Sequence, residues 1–395
     1  MTRSDTGPGS ARDGATLGLM VTLALGAGLG ITGMTLIGPS LPSLRADFDI
    51  SQQGTALLQA GYLLAVALPQ LFVGALSDRF GRRRPLLGGL ALFILGSLIC
   101  LIAETAVLFM AGRMIQAIGA SAGLVSASAL LRERNSETQA AGLIGYLSLG
   151  MMVLPMLAPS IGGTIEAAVG WRGNFAFLSG IGGIILLAAA RLVHDQPDQT
   201  EPTRAGFATL LGSRRFRAYT GQIALASAAN HTFLNSTPFL LSTLHGLTPA
   251  QYAPLFSIPA ASFLIANLLS TRTVARHGIN RMITAGTCVT AFSALAGLAL
   301  IFTGIASGYG ALFAIAAAMS FGHGLTIPNA MTGATGAVPG ALGRAAGLSG
   351  CVQMSVGALA VVVFMPLVNI NALPLLLALV GIAVLAALWW GLEPG

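Results

Sequence analysis

The chain has 395 residues, 54% of them hydrophobic and only 8% charged, with a mean hydropathy of +0.80. That balance excludes an ordinary water-soluble domain. The formal net charge of +7 comes from arginine alone, since the chain has no lysine, and the placement of those arginines excludes a nucleic-acid partner in favour of a topological role.

The tail 1–15 is polar and rich in Gly and Ser; the first apolar run behind it is long enough to span a bilayer, so no cleavable signal is expected. A helix needs ~20 apolar residues to cross the hydrocarbon core. Twelve such spans are predicted, at 16–42, 53–77, 85–103, 106–130, 138–168, 172–192, 216–241, 250–272, 279–303, 307–330, 341–366 and 372–392. The long polar break at 193–215 holds His194, Asp195, Pro197, Asp198, Glu201 and Arg204. It divides the chain into a cytoplasmic tail (1–15), an N-terminal six-helix bundle (16–192), a cytoplasmic linker (193–215) and a C-terminal six-helix bundle (216–392). An even number of spans puts both termini on one side. All the arginines except Arg45, Arg113 and Arg172 fall in loops or span ends on that side, which the positive-inside rule makes the cytoplasm.

The three cysteines, Cys100, Cys288 and Cys351, all lie in apolar runs without partners at metal-ligand spacing. They are read as packing residues, and no metal or cofactor is expected. No His-Glu-x-x-His, Walker loop or Cys-x-x-Cys pair is present, so the chain is not expected to be an enzyme.

Four arginines and an aspartate follow the second span in Gly74-Ala-Leu-Ser-Asp78-Arg79-Phe-Gly81-Arg82-Arg83-Arg84. Gly81 permits a tight turn and Asp78 can cap a helix or pair with arginine. A weaker copy lies two hundred residues on, as Arg276-His277-Gly278-Ile279-Asn280-Arg281, with Ala275 where the first has Asp78. The first copy resembles the loop between the second and third helices of the major facilitator superfamily (MFS), Gly-x-x-x-Asp-Arg-x-Gly-Arg-Arg. The resemblance implies an all-α membrane protein of twelve transmembrane helices in two pseudo-symmetric six-helix bundles. It also implies alternating access to a site near the midplane, and a gating role for Gly74, Asp78, Arg79, Gly81, Arg82, Arg276 and Gly278.

The fourth span contains Arg113-Met-Ile-Gln116-Ala-Ile-Gly119. An arginine inside a span is costly and by default functional; it is otherwise a structural cation satisfied by carbonyls of the first span. The stretch resembles the Arg-x-x-Gln-Gly-x-Gly motif of proton-coupled MFS antiporters, with Ala117 for the first glycine. The fifth span carries Gly145, Gly150, Pro155 and Ala158-Pro159-Ser160-Ile161-Gly162-Gly163, which resembles the antiporter-motif helix of MFS exporters. Pro155 and Pro159 would kink it, and Gly162 and Gly163 would pack closely.

Gly38-Pro39-Ser40-Leu41-Pro42, Ser236-Thr237-Pro238-Phe239 and Gly246-Leu247-Thr248-Pro249 resemble the bicyclomycin/chloramphenicol-resistance (Bcr/CflA) branch of drug:proton antiporters. That branch has an acidic residue in the first span where this chain has Thr35. No Asp or Glu lies deep in any predicted span; Asp47, Asp49, Glu104 and Glu166 group at the outer ends. Two histidines, His231 and His323, could titrate near neutral pH instead, His231 being the candidate coupling group. A buried arginine and two imidazoles without a carboxylate favour a neutral or anionic substrate over a lipophilic cation. Tyr62, Tyr146, Asn235, Asn329 and Gln353, with Gln59, complete the expected cavity lining.

The expectation is therefore proton-coupled efflux of a small organic compound by a monomer in the bacterial inner membrane. The alternatives are uptake or exchange of a metabolite, and a non-transporting relative serving as a sensor or assembly component.

Overall fold

Where the described residues cover them, long apolar runs broken by Gly, Pro and Arg fold into helices as expected. The computed structural model describes residues 9–72, 83–134, 157–193, 206–302, 308–367 and 373–392, and every regular element among them is helical. The twelve spans are occupied by Gly9–Leu36 (continued by Leu41–Asp47), Gln52–Gln70, Arg83–Leu101, Ala106–Arg134, 157–169, Arg172–Leu192, Arg214–His245, Ser257–His277, Ile279–Phe302, Tyr309–Thr335, Leu342–Phe364 and Leu373–Leu392. These are the first to twelfth helices below. Among the described residues, 8 helical stretches are long and apolar enough to cross a membrane. The second, fourth, fifth and seventh helices are not among them, and the second, fourth and seventh carry several of the buried polar groups described below.

Local chemistry sets the ends. Pro39 interrupts the first helix, which passes through a 3₁₀ turn at Gly38–Ser40 before Leu41–Asp47 resumes. Ser51 caps the second helix by accepting from the Gly54 amide at 3.0 Å, and Ser213 caps the seventh by accepting from Phe216 at 3.3 Å. Gly246 closes the seventh helix in the left-handed conformation (φ 61°), which a Cβ would strain. The polar break at 193–215 is not wholly irregular: a short helix, Phe207–Gly212, precedes the seventh. The first helix begins at Gly9, ahead of the expected boundary at 16.

The two halves repeat one packing device. The third and fourth helices lie against each other along their length, as do the ninth and tenth. A Cβ on Gly96 would strike the Gly112 and Gln116 backbone, and one on Gly119 would strike Gly89 and Phe93; likewise Gly286 meets the Gly322 carbonyl and Gly322 meets Gly286 and Thr290. Small residues at matched positions let backbones approach where lipid offers no hydrophobic drive for association. Large apolar side chains such as Leu64, Val107, Ile184, Phe292 and Leu388 point outward, a surface suited to hydrocarbon.

The halves meet along two lines. The second helix packs on the eleventh, and the seventh meets the Gly38–Asp47 segment. One buried cluster runs across the seam, joining Leu41, Ala56 and Ala60 to Phe239, Ala358, Val361 and Met365.

Candidate functional site

Arg113 is fully buried, the largest such side chain among the described residues. Its guanidinium is held from three helices. Nη1 donates to the Gly33 carbonyl at 3.1 Å and to Gln116 Oε1 at 2.7 Å, one turn along its own helix. Its Cζ stacks 3.7 Å from the centre of the Tyr62 ring, a cation–π contact that gains strength away from water. The relay continues: Gln116 Nε2 donates to Ser97 Oγ at 2.7 Å, Ser97 donates to the Phe93 carbonyl at 2.7 Å, and Tyr62 donates to the Gly30 carbonyl at 2.8 Å. Arg113 Nε and Nη2 have no partner among the described residues. The ion pair of Arg172 with Asp47, at 3.5 Å, lies elsewhere. A buried cation held by neutral dipoles and an aromatic face can receive an anionic or carbonyl oxygen.

Gly33 directly precedes Met34 on the wall of a narrow, partly open pocket where the first, fifth and seventh helices and the start of the eighth meet, formed by Met34, Thr35, Gly38, Pro39, Pro159, Leu234, Asn235 and Phe256. Its wall is apolar with few polar groups, the usual composition of a small-molecule site. Thr35 there returns its hydroxyl to the Ile31 carbonyl at 3.0 Å. Across the seam, Gln59 Nε2 donates to Asn235 Oδ1 at 2.6 Å, and Asn235 Nδ2 donates to the His231 carbonyl at 2.8 Å. His231 is buried against Gly357 of the eleventh helix, and its Nδ1 lacks a partner among the described residues. Gln353 is half-buried on that same eleventh helix.

Other expected residues are placed differently. His323 lines a second narrow pocket inside the C-terminal half, with Gln222, Thr287, Thr290 and Thr326. Asn329 also stays within that half, donating to Ser270 Oγ at 2.6 Å and the Leu325 carbonyl at 2.7 Å. Neither faces the pocket between the halves, because the tenth helix turns them toward its neighbours in its own half. Tyr62 likewise lies under Arg113 and not on that pocket's wall. Gly74, Asp78, Arg79, Gly81, Arg82, Tyr146 and Pro155 lie outside the described residues. The end of their loop is visible at Arg83, whose Nε and Nη2 donate to the Val193 and Ala190 carbonyls at 2.8 and 3.0 Å. That contact ties the third helix to the C-terminus of the sixth, within one half. In the second copy, Gly278 ends the eighth helix with φ 79° and Arg276 is exposed.

The fifth helix is wedged at the opposite end of the seam. A Cβ on Gly162 would run into the Leu36 carbonyl, and one on Gly163 into Ala253 and the Pro249 carbonyl of the C-terminal half. Ser160 Oγ lies 3.2 Å from Ser257 Oγ. Tyr252 donates to the Pro39 carbonyl at 2.5 Å, and Gln52 Nε2 to the Met365 carbonyl at 2.7 Å. The halves are thus fastened at the end expected to face outward.

Sequence reasoning passed over Ser97, Tyr252 and Gln222, which are supplied by helices other than the one each supports. One spelling invites a different reading: Gly119-Ala-Ser121-Ala-Gly123 matches the Gly-x-Ser-x-Gly nucleophile pattern. Ser121 lies within the continuous helix Ala106–Arg134 and donates to Ile118 at 2.8 Å, so the strand–turn–helix context of that motif is missing.

Twelve helices in two glycine-stitched halves around a seam, with a buried arginine on one side of it, define a membrane transporter architecture. The Major Facilitator Superfamily profile matches residues 23–361, and the chain belongs to that family. It is 30% identical over 231 residues to the Multidrug resistance protein MdtL of Escherichia coli O17:K52:H18 (strain UMN026 / ExPEC), and to that of Shigella boydii serotype 18 (strain CDC 3083-94 / BS512). The matched stretch covers 58% of this chain and 58% of the length of those relatives. A bacterial homolog of the human lysosomal transporter Spinster, inward-facing and occupied, superposes with a TM-score of 0.76 at 15% identity, covering 98% of this chain and 97% of its own. The nucleoside transporter NupG superposes with a TM-score of 0.76 at 12% identity, over 96% and 100% of the two chains. Those two likenesses establish the fold alone.

Proposed function

We propose that the chain is a proton-coupled exporter of a small neutral or anionic organic compound, working by alternating access between its two halves, 16–192 and 216–392. It acts as a monomer in the bacterial inner membrane with both termini in the cytoplasm, as the arginine distribution supports. The observation that carries the substrate class is Arg113: a wholly buried guanidinium with two nitrogens unpartnered among the described residues, next to the pocket between the halves. A bound carboxylate, phosphate or carbonyl oxygen completes its hydrogen bonds. A permanent cation there would meet like charge in a medium that screens poorly. The names of the relatives, multidrug resistance proteins, favour the export direction.

His231 is the proposed coupling group. It sits at the seam between the seventh and eleventh helices with a ring nitrogen open to a proton, and imidazole exchanges protons near neutral pH.

Proteoliposomes with an imposed pH gradient test both residues. Saturable transport of organic anions or neutral compounds is expected, with Arg113→Ala reducing it ~10- to 100-fold. That is the equivalent of a hydrogen bond to a charged group at ~1.5–3 kcal/mol. His231→Gln should keep substrate exchange and lose gradient-driven accumulation. Saturable transport of a quaternary ammonium compound would overturn the substrate class, and gradient-driven accumulation by His231→Gln would remove the histidine from the mechanism.

A further inference from the structure

The sequence grouped Glu166 with Asp47, Asp49 and Glu104 at the outer ends of the spans. The structure buries it: only 8% of its surface is exposed. It lies one turn beyond Gly162, which packs on Leu36 of the first helix, and one turn beyond Gly163, which meets Ala253 and Pro249 of the other half. Ser43 donates to Oε1, and Oε2 is buried with no partner among the described residues.

Among the described residues no cation lies within ion-pair distance of it, Arg45 on the Leu41–Asp47 helix included. Arg172, the basic group of the adjoining turn, pairs with Asp47 at 3.5 Å and donates to the Ala103 carbonyl at 2.9 Å, and Asp47 also accepts from the Trp171 indole at 2.7 Å. The ionisable groups that bear on Glu166 from the packed elements are Asp47, on the Leu41–Asp47 helix, and the Tyr252 phenol of the other half. One is a like charge, and the other is already committed to the Pro39 carbonyl. A carboxylate enclosed this way would keep one oxygen charged, dry and unbonded, whereas a neutral carboxyl places a hydrogen on it and removes the charge.

The same helix carries the contacts that fasten the halves here. Gly163 lies against Ala253 and Pro249, and Ser160 faces Ser257. Separating the halves at this end would lift the fifth helix off the C-terminal half and let water reach Glu166.

We propose that Glu166 is a proton-binding group of the outer gate, neutral when the outer ends of the halves are closed and ionised when they part. Closure takes one proton from the outer solution onto a Glu166 oxygen, and opening returns it. Low outer pH then favours the closed gate and high pH the open one. This role rests on the alternating-access reading for its place in a cycle, but the gate itself can be followed without any substrate.

The test uses the full chain in lipid nanodiscs, with Cys100, Cys288 and Cys351 replaced by serine and spin labels at Gln53→Cys and Ala250→Cys, exposed positions on the outer ends of the two halves. Electron–electron distance measurements across a pH series are expected to show a long-distance population growing as pH rises. Glu166→Gln, a permanently neutral mimic, should stay in the short-distance population at every pH, and Glu166→Asp should restore the response. A pH response in Glu166→Gln equal to that of the parent, or no response in the parent, overturns the proposal. Infrared difference spectra of the parent between low and high pH provide a second readout if Glu166→Gln folds poorly. A protonated-carboxyl band that Glu166→Asp displaces supports the assignment, and an unchanged band overturns it. Failure of the transport reading would instead show as absent flux in proteoliposomes with this gate response intact.

Discussion

Ser97 illustrates how much of the site hangs on unremarkable side chains. It belongs to the third helix and touches no pocket, yet its hydroxyl accepts from Gln116, which in turn accepts from Arg113. Ser97→Ala would leave the Gln116 amide buried and unpaired. Interhelical hydrogen bonds in membranes average only ~0.6 kcal/mol, but an orphaned buried donor costs ~1–3 kcal/mol. The second effect governs here, because Gln116 is fully buried and has no water to turn to. A fall in the thermal unfolding midpoint in detergent is expected, with a loss of transport milder than that of Arg113→Ala. Equal stability of Ser97→Ala and parent would mean that Gln116 finds another acceptor.

The helix pairs make a prediction of their own. Gly96 and Gly88 are both glycines of the third helix, but only Gly96 faces the fourth; nothing lies within 4 Å of a Cβ at Gly88. Gly96→Ala must push two backbones apart, an overpacking cost of ~1–3 kcal/mol, while Gly88→Ala should gain slightly in helix propensity. Yields of folded protein by size-exclusion chromatography should therefore diverge between the two variants.

At this scale the sequence was readable where a rule has a period or a price. Apolar run lengths placed the long helices among the described residues but not the short Phe207–Gly212, and a charge inside a span singled out Arg113. The i, i+3 spacing supplied Gln116. Ser97, Gly33 and Tyr252 were hidden because contacts between helices leave no periodic trace in a single chain. Glu166 fell between these cases. Its distance from the apolar centre read as exposure, although its one-turn spacing from Gly162 already assigned it to the tightly packed face. His323 and Asn329 were misplaced for the converse reason: polarity in a span tells that a partner exists, not which neighbour supplies it.

Taken whole, the molecule is a pair of halves fastened by polar contacts at one end. Ser160 and Ser257 approach to 3.2 Å between their hydroxyls, close enough for side chains of that length to be bridged by sulfur. In the background without native cysteines, Ser160→Cys with Ser257→Cys should cross-link under mild oxidation and stop transport, and a reducing agent should restore it. Continued transport by the fully cross-linked protein would rule out separation of the halves at that seam.

Under the proposed export of an organic anion, the buried guanidinium of Arg113 also gives the cycle an electrical signature. With its positive charge unmatched by a carboxylate among the described residues, the empty carrier holds charge at the site, and an organic anion bound there cancels it. Membrane voltage then acts chiefly on the empty form. A full elementary charge moved across the field corresponds to ~2.3 kcal/mol per 100 mV. An interior-negative diffusion potential should accelerate the inward return of the unloaded site while leaving the loaded half of the cycle nearly unaffected. Anion export should therefore run faster at negative voltage, and Arg113→Gln should abolish that dependence in whatever flux remains.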